Sequence, residues 1–170
     1  MSTLQEANLF GFTGYTTAAS RGRAKTYRDV YEQNRHRIYA LAFWMTDNEL
    51  AAEELMTNTF CRAFARKQVP RPEEIDCALI AEARQHMPLG LLTLDCTPCD
   101  KVLSVRSNTL RIDLERAVAQ LPNTERMIFL MHDVENYDHA RIARVLGFSQ
   151  DESRRGLHQA RLRIRELLRK

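Results

Sequence analysis

Apolar residues recur at three- and four-residue spacing along most of the chain, the spacing of one buried face of an α-helix. One such run covers residues 27–45 and a second covers residues 52–64. Between them, Asp47 or Asn48 can cap the second helix because their side-chain oxygens accept hydrogen bonds from backbone N–H groups. So short a connection predicts two long antiparallel helices.

The regular pattern then weakens. Residues 68–74, QVPRPEE, contain two prolines and end the helical pair. A shorter, acidic helix is predicted at 73–87, EEIDCALIAEARQHM. Residues 88–109 mix Pro, Gly, Ser and Thr with short apolar runs and hold no sustained period, which indicates an interdomain linker.

The helical period returns after the linker. Ser107 or Asn108 can cap a helix whose apolar face consists of Leu110, Leu114, Ala117, Val118 and Leu121. Another helix is predicted in residues 121–134, LPNTERMIFLMHDV, after a proline and a capping Asn123 or Thr124.

These elements predict an all-α protein of two small helical domains, 25–87 and 108–170, joined by a linker at 88–107 and preceded by a tail at 1–24. The composition agrees with this, since 44% hydrophobic and 28% charged residues in a chain of 170 are typical of a globular protein. No apolar run is long enough to cross a bilayer, and the first residues lack the pattern of a signal peptide. We therefore expect a cytoplasmic protein without a membrane partner.

The last third of the chain has the pattern of a helix-turn-helix. Residues 142–146 form a short apolar segment, Gly147 can adopt the positive φ of a tight turn, and Ser149 can begin the next helix. Ser149 and Glu152 fit the capping box S-x-x-E, in which each side chain binds the other residue's backbone N–H.

The final helix has two distinct faces. Its apolar face consists of Leu157, Ala160, Ile164 and either Leu167 or Leu168, and its basic face of Arg154, Arg155, His158 and Arg161. A helix of this kind suits the DNA major groove, where guanidinium groups bind guanine edges or phosphates. The alternative is a solvated helix face with no DNA partner.

Charge supports the DNA interpretation. Residues 147–170 contain seven Lys and Arg against three acids, whereas the whole chain has a net charge of only +3. The positive excess therefore lies at the C-terminus, as expected for a segment that binds nucleic acid.

Other chemistry is weakly indicated. Cys96 and Cys99 have the spacing of half a zinc site or a redox pair, which Cys77 or His86 could complete, but a single C-x-x-C in a linker is usually neither. The His132-Asp133 doublet has no second His/Asp pair at suitable spacing for a metal-dependent hydrolase. No phosphate-binding glycine loop, activated nucleophile or convincing carboxylate pair is present, so we expect no enzyme, no cofactor and no metal.

Two segments resemble a known family. Residues 121–168, LPNTERMIFLMHDVENYDHARIARVLGFSQDESRRGLHQARLRIRELL, resemble region 4 of bacterial RNA polymerase sigma factors of the extracytoplasmic-function (ECF) type. Residues 31–66, YEQNRHRIYALAFWMTDNELAAEELMTNTFCRAFAR, are similar to the first part of region 2. Together they cover about half of the chain, in the order of the family.

The resemblance implies two binding surfaces. In the family, the helix like AAEELMTNTF docks on the clamp of the largest subunit of core RNA polymerase, which implies contacts by Ala52, Glu53, Glu54, Leu55, Thr59 and Phe60. The C-terminal helix reads the −35 promoter element, which implies contacts by Arg154, Arg155, His158, Gln159 and Arg161. An anti-sigma factor is a further partner of such proteins.

The chain departs from the family at several positions. Where the family has G-T-V it has Asp151, Glu152 and Ser153, so two acids and a serine replace a glycine, a threonine and a buried valine. Gly156 replaces an arginine at a cost of about 1 kcal/mol in helix propensity relative to Ala. Thr57 and Asn58 replace the usual Q-E in the first signature.

The largest departure follows Arg66, where the family has a basic, aromatic segment that melts the −10 element. Residues 67–87 contain no Trp, Tyr or Phe and more acids than arginines. Recognition of the −10 element is therefore assigned to no residue. Two alternatives stay open, namely a stand-alone helix-turn-helix regulator and a sigma-like interaction module that does not open promoters.

Overall fold

The computed structural model describes residues 18–66, 68–93 and 110–169 and confirms the all-α fold, with no strand in these residues. The helices are α1 (Ala18–Thr46), α2 (Glu49–Phe64), α3 (Pro72–His86), α4 (Arg111–Ala119), α5 (Asn123–Phe129), α6 (His139–Leu146) and α7 (Gln150–Leu168). A π-helical turn, Leu130–Val134, continues α5. We call α1–α3 the N-terminal unit and α4–α7 the C-terminal unit.

The turn between α1 and α2 forms as the sequence predicts. Asp47 adopts a positive φ of 51°, and Asn48 is the N-cap of α2. The Asn48 side chain accepts a hydrogen bond from the N–H of Ala51 at 3.0 Å, which satisfies one of the unpaired donors of the first turn. The two helices consequently lie side by side.

Apolar residues from all three helices form the core of the N-terminal unit. Its fully buried large side chains are Ile38, Leu41, Ile75, Leu79 and Ile80. α3 begins with Pro72 at its first position, where the missing N–H costs nothing. The Glu74 carboxylate accepts a hydrogen bond from the N–H of Arg71 at 2.8 Å and fixes the entry into this helix.

Two details of the C-terminal unit differ from the sequence prediction. Leu110 and Leu114, predicted on a buried face, are 63% and 40% exposed and line an open groove beside Ile164 and Leu168 of α7, whereas Ala117 and Val118 are buried. The predicted side-chain cap of α5 is also wrong, since the N-cap is Pro122 and no side chain caps the helix. Thr124 is buried instead, and its hydroxyl accepts a hydrogen bond from the N–H of Gly90 at 3.2 Å. The predicted caps Ser107 and Asn108 lie outside the described residues.

The helix-turn-helix has the predicted form. α6 ends at Leu146, and the next residue, Gly147, has a φ of 75° in the left-handed region that favours glycine. The Ser149 hydroxyl accepts a hydrogen bond from the N–H of Glu152 at 3.1 Å, and the Glu152 carboxylate accepts one from the N–H of Ser149 at 2.8 Å. This hydrogen bond from the Ser149 backbone lowers the pKa of Glu152.

Ordered structure extends on both sides of the predicted N-terminal domain. α1 begins at Ala18, so residues 18–24 of the predicted tail lie in a helix. Residues 88–93 of the predicted linker lie against the C-terminal unit, where the N–H of Thr93 donates to Glu125 at 2.6 Å. The two units also contact each other directly, α1 with α5 and α3 with α6.

Candidate functional site

The basic face of α7 lies on the surface. Arg154, Arg155 and His158 are exposed on the first turns after the capped N-terminus. The Arg154 guanidinium donates to Asp151 at 2.7 Å, and 56% of the Arg154 side chain is exposed. An exposed ion pair of this kind contributes at most about 1 kcal/mol and can exchange for a phosphate contact. Asp151 therefore reduces the local positive charge without covering the face.

Arg161 lies on the same face but is bound more firmly. Its Nη2 and Nε donate to the two carboxylate oxygens of Asp133, in the π-helical turn, at 2.6 and 3.0 Å. His132 Nδ1 lies 2.8 Å from the same carboxylate. Partial burial opposes the charged form of Asp133, but the hydrogen bonds from Arg161 and His132 outweigh it and hold the pKa of Asp133 below its ordinary value. Arg161 is thus positioned by a two-point contact within the protein.

Gln159, expected to contact DNA, is buried and does not lie on this exposed face. Only 7% of it is exposed, and its side-chain oxygen has no hydrogen-bond partner within the described residues. The reason is helical geometry, since Gln159 lies three residues after the buried Gly156 and next to the buried Ala160. It packs against the protein's own core.

Ser153, which replaces the family's valine, is fully buried and has a polar partner. Its hydroxyl lies 3.0 Å from Nδ1 of His139, the first residue of α6. The His139 ring stacks on that of His132 with 4.7 Å between ring centroids. Partial burial, together with the neighbouring His132, lowers the pKa of His139. The hydroxyl of Ser153 is therefore accommodated without an unsatisfied buried group.

Gly156, the other departure on α7, lies close to the ends of the Ile128 and Leu92 side chains. A Cβ at this position would lie 2.6 Å from Ile128 Cδ1 and 2.8 Å from Leu92 Cδ2. Distances this short do not occur between real carbon atoms, so any larger residue displaces a neighbour. The glycine lets α7 approach α5 and the segment after α3.

The six α2 residues expected to contact polymerase are partly exposed and partly buried. Glu53 and Glu54 are exposed as predicted. The other four are buried in the N-terminal unit: Ala52 (0% exposed), Leu55 (2%), Thr59 (0%) and Phe60 (4%). The Thr59 hydroxyl donates to the carbonyl of Leu55 at 2.7 Å and is fully satisfied within its own helix. These buried residues hold the helix that displays the two acids.

Leu50 lies on the same exposed side of α2 as Glu53 and Glu54, and its exposure was not predicted from the sequence. It is 77% exposed and lies three and four residues before Glu53 and Glu54, hence on the same side of α2. The signal was available, since Leu50 lies outside the apolar periodicity that predicts the core.

Metal and thiol chemistry gain no support. In residues 18–66, 68–93 and 110–169, no group of three or more His, Cys, Asp or Glu could hold a metal ion. Cys77 is exposed, but partial burial and then the neighbouring Asp76 raise its pKa, the opposite of an activated nucleophile. Cys96 and Cys99 lie outside the described residues. None of the described helices has the length and apolar character needed to span a membrane.

The helix-turn-helix also matches a known domain. Residues 111–164 match the family model "Sigma-70, region 4". This span begins with the first residue of α4 and ends within α7, so it contains α6, the turn and most of α7, with Arg154, Arg155 and Arg161.

Relatives extend the likeness over both units. The chain is 23% identical over 177 residues to the ECF RNA polymerase sigma factor SigE of Mycolicibacterium smegmatis, an alignment that covers 94% of this chain and 68% of SigE. The fold of this chain is similar to that of the sigma factor RpoE in the co-crystal structure with the anti-sigma factor NepR from Bartonella quintana. That likeness has a TM-score of 0.62 and 16% identity, and covers 85% of this chain and 98% of RpoE.

Taken with the capped helix-turn-helix, these matches do not favour a stand-alone regulator or a module that leaves promoters closed. Sigma factors are regulatory proteins rather than enzymes. The C-terminal unit therefore carries a sigma-70 region 4 domain, and the matches over both units support an ECF-type sigma factor that directs promoter-specific initiation of transcription.

Proposed function

We propose that α7 reads the −35 promoter element in the major groove through Arg154, Arg155 and His158. The observation that carries this is the capping box at Ser149, which fixes the start of α7 so that these three exposed side chains project from its first turns. In a helix-turn-helix, the N-terminal residues of the second helix contact base edges. Arg161 lies farther along and stays oriented by Asp133, so it suits a phosphate contact at the edge of the groove.

The α2 helix supplies the contact with core RNA polymerase in this proposal. Glu53 and Glu54 offer two carboxylates to basic residues of the polymerase clamp, and Leu50 adds an apolar contact on the same side. Apolar and charged groups together give an interface both area and orientation. The buried residues of α2 keep this face rigid.

Localisation and a third partner follow from the same role. A sigma factor acts where the polymerase is, so we propose a cytoplasmic protein that carries no catalytic activity of its own. The solved RpoE structure contains the anti-sigma factor NepR. We propose that this chain, too, is held by an anti-sigma protein when transcription is not required.

The experiment uses matched arginine variants of the full chain. Arg154→Ala and Arg163→Ala each remove one exposed arginine from an i,i+3 ion pair on α7, with 56% and 45% of the side chain exposed. Arg163 lies outside the proposed base-reading positions and serves as the control. Co-purification with core polymerase and run-off transcription from genomic promoter fragments are measured for both variants.

We expect Arg154→Ala to reduce promoter-specific transcription by about tenfold, since a good base contact contributes about 1–3 kcal/mol. Arg163→Ala should have a small effect, and both should bind core polymerase like the parent. The double variant E53A/E54A should show the reverse pattern, with weak polymerase binding. Equal loss in the two arginine variants would reduce the role of α7 to net charge and refute the assignment.

A further inference from the structure

Two histidine rings stack against each other beside the start of α7. His132 lies in the π-helical turn and His139 is the first residue of α6, with 4.7 Å between the ring centroids and an interplanar angle of 28°. We call these two residues the histidine pair. Both are partly exposed, so a ligand that approaches the helix-turn-helix from solvent can contact them.

A polar contact through Nδ1 fixes each ring of the histidine pair. His132 Nδ1 lies 2.8 Å from a carboxylate oxygen of Asp133, and His139 Nδ1 lies 3.0 Å from the buried hydroxyl of Ser153. Among the residues that the structure describes, the Nε2 atoms have no hydrogen-bond partner. Each ring therefore retains one polar atom that can bind a ligand.

The charges around His139 disfavour its protonation in the free protein. The charged groups that face the histidine pair come from every segment packed against it: Asp133 of the π-helical turn, Asp138 at the N-cap of α6, and Arg154 and Arg161 of α7. Partial burial lowers the pKa of His139, and the neighbouring His132 and the two arginines lower it further, against the opposing effect of Asp138. His139 is therefore neutral in the free protein at neutral pH.

The position of the histidine pair suits a contact with the DNA backbone. Arg154 and Arg161, which are about 10 Å apart along the axis of α7, both act on His139, so the pair lies beside the stretch of α7 between them. In a helix-turn-helix, the second helix enters the major groove while the first helix crosses the phosphate backbone. Because His139 begins that first helix, a phosphate that passes the helix-turn-helix comes close to the pair.

We infer that the histidine pair binds a phosphate of the promoter backbone and takes up one proton from solvent when it does so. This rests on the proposed function, because it requires α7 to lie in the major groove. The N–H of an imidazolium donates a charge-assisted hydrogen bond to a phosphate oxygen, which is stronger than a bond between neutral groups. The phosphate also supplies negative charge beside Arg154 and Arg161, so that His139 can be protonated.

Proton uptake makes the affinity for the promoter depend on pH. The phosphate raises the pKa of His139 from its lowered value in the free protein. The added affinity is thus fully present below the pKa of the free protein and is lost as the pH rises through the higher pKa of the complex. Since a rise of one pKa unit corresponds to about tenfold in affinity, we expect this contact to add about fivefold at about pH 6 and almost nothing at about pH 8.

The test uses the full chain assembled with core RNA polymerase. Fluorescence anisotropy measures its affinity for one promoter fragment at several pH values and constant salt, because salt alone changes the affinity for DNA. His139→Asn removes the titrating ring but retains a polar partner for Ser153. His86→Asn is the matched control, since it removes an exposed histidine at the end of α3. Circular dichroism of each variant at each pH measures the helix content.

We expect His139→Asn to bind like the parent at about pH 8 and about fivefold more weakly at about pH 6, whereas His86→Asn should follow the parent throughout. The same difference should appear in a His158→Gln background, which removes the exposed histidine of α7. An equal loss at both pH values would indicate a structural role for His139, and parallel pH profiles would indicate that no proton is taken up there. Either result overturns the inference.

If His139→Asn loses helix content, His132→Asn decides the question, because asparagine retains a partner for Asp133. A loss of affinity confined to acidic pH supports the phosphate contact, and a pH-independent effect refutes it. Failure of the proposed function gives a different result. Reduced transcription in Arg154→Ala with unchanged pH profiles in the histidine variants would retain the role of α7 and reject the phosphate contact. The opposite pair of results would retain the phosphate contact and reject base reading by α7.

Discussion

Replacing Gly156 by alanine sets helix propensity against packing at the centre of the DNA-reading helix. Alanine is more favourable than glycine inside a helix by about 1 kcal/mol. Against this, the new Cβ would lie 2.6 Å from Ile128 Cδ1 and 2.8 Å from Leu92 Cδ2. Inserting a methyl group into a packed site typically costs about 1–3 kcal/mol.

Packing should prevail, because Ile128 is 0% exposed and has little space in which to move. We expect Gly156→Ala to destabilise the protein by about 1 kcal/mol, the difference between the two effects. The diagnostic step is a second change, Ile128→Val, which deletes the closer of the two atoms. In the parent protein, Ile128→Val should lower the free energy of unfolding by about 1 kcal/mol, whereas combined with Gly156→Ala it should lower it by almost nothing.

Urea denaturation of the four proteins in this cycle measures the coupling directly. Gly147→Ala is the matched control. Nothing lies within 4 Å of a Cβ there, so its cost of about 1 kcal/mol comes from the φ of 75° alone and should add to that of Ile128→Val. Stabilisation by Gly156→Ala, or additivity of the Gly156 and Ile128 changes within about 0.5 kcal/mol, would refute the packing argument.

Two further predictions concern the start of α7 and the histidine beneath it. Ser149→Ala and Asn48→Ala each remove one N-cap acceptor and should each destabilise the chain by about 1 kcal/mol in urea denaturation. Only Ser149→Ala should weaken promoter binding in fluorescence anisotropy. Equal losses of binding in the two variants would contradict the assignment of α7. Because the folded-state pKa of His139 lies below its ordinary value of 6.5, its contribution to stability is present above that pH and is lost as the pH falls. Urea midpoints measured between about pH 5 and about pH 8 should show this loss, and His139→Asn, which retains a partner for Ser153, should reduce it; an unchanged acid limb would contradict the role of His139.

Local features of the fold could be predicted because local sequence determines them. The capping Asn48, the positive φ of Gly147 and the box formed by Ser149 and Glu152 each depend on residues within four positions of one another. The same holds for the exposed arginines of α7, which follow from helical periodicity.

Predictions failed where distant parts of the chain decide. Leu110 fits an apolar period but is exposed, at the edge of an open groove beside α7. Gln159 looks like a surface residue, yet it faces the protein core. A family motif identified α2 as a binding helix, but it cannot separate exposed acids from buried residues such as Leu55 and Phe60. These outcomes depend on packing, which no short window of sequence contains.

The acidic character of residues 67–87 is the clearest example. In the sequence it marks only the absence of an aromatic, basic segment. In the structure, Asp76 lies among groups 39, 61 and 65 residues away along the chain. The acids of α3 are therefore one half of an interface whose other half is the arginines of α6, and their identity follows from that pairing.

Ion pairs on α7 also change the interpretation of the positive charge at the C-terminus. The positive excess of residues 147–170 suggests a uniformly basic DNA surface, but Arg154, Arg161 and Arg163 each bind an acid. For Arg154 and Arg163 the partner is an exposed acid three residues away, which a phosphate can replace at a cost of at most about 1 kcal/mol. Arg161 is different, because Asp133 binds it at two points and His132 supports the carboxylate. Sequence-specific contacts should therefore concentrate near the capped end of α7, and the positive charge farther along should contribute less to affinity than its count implies.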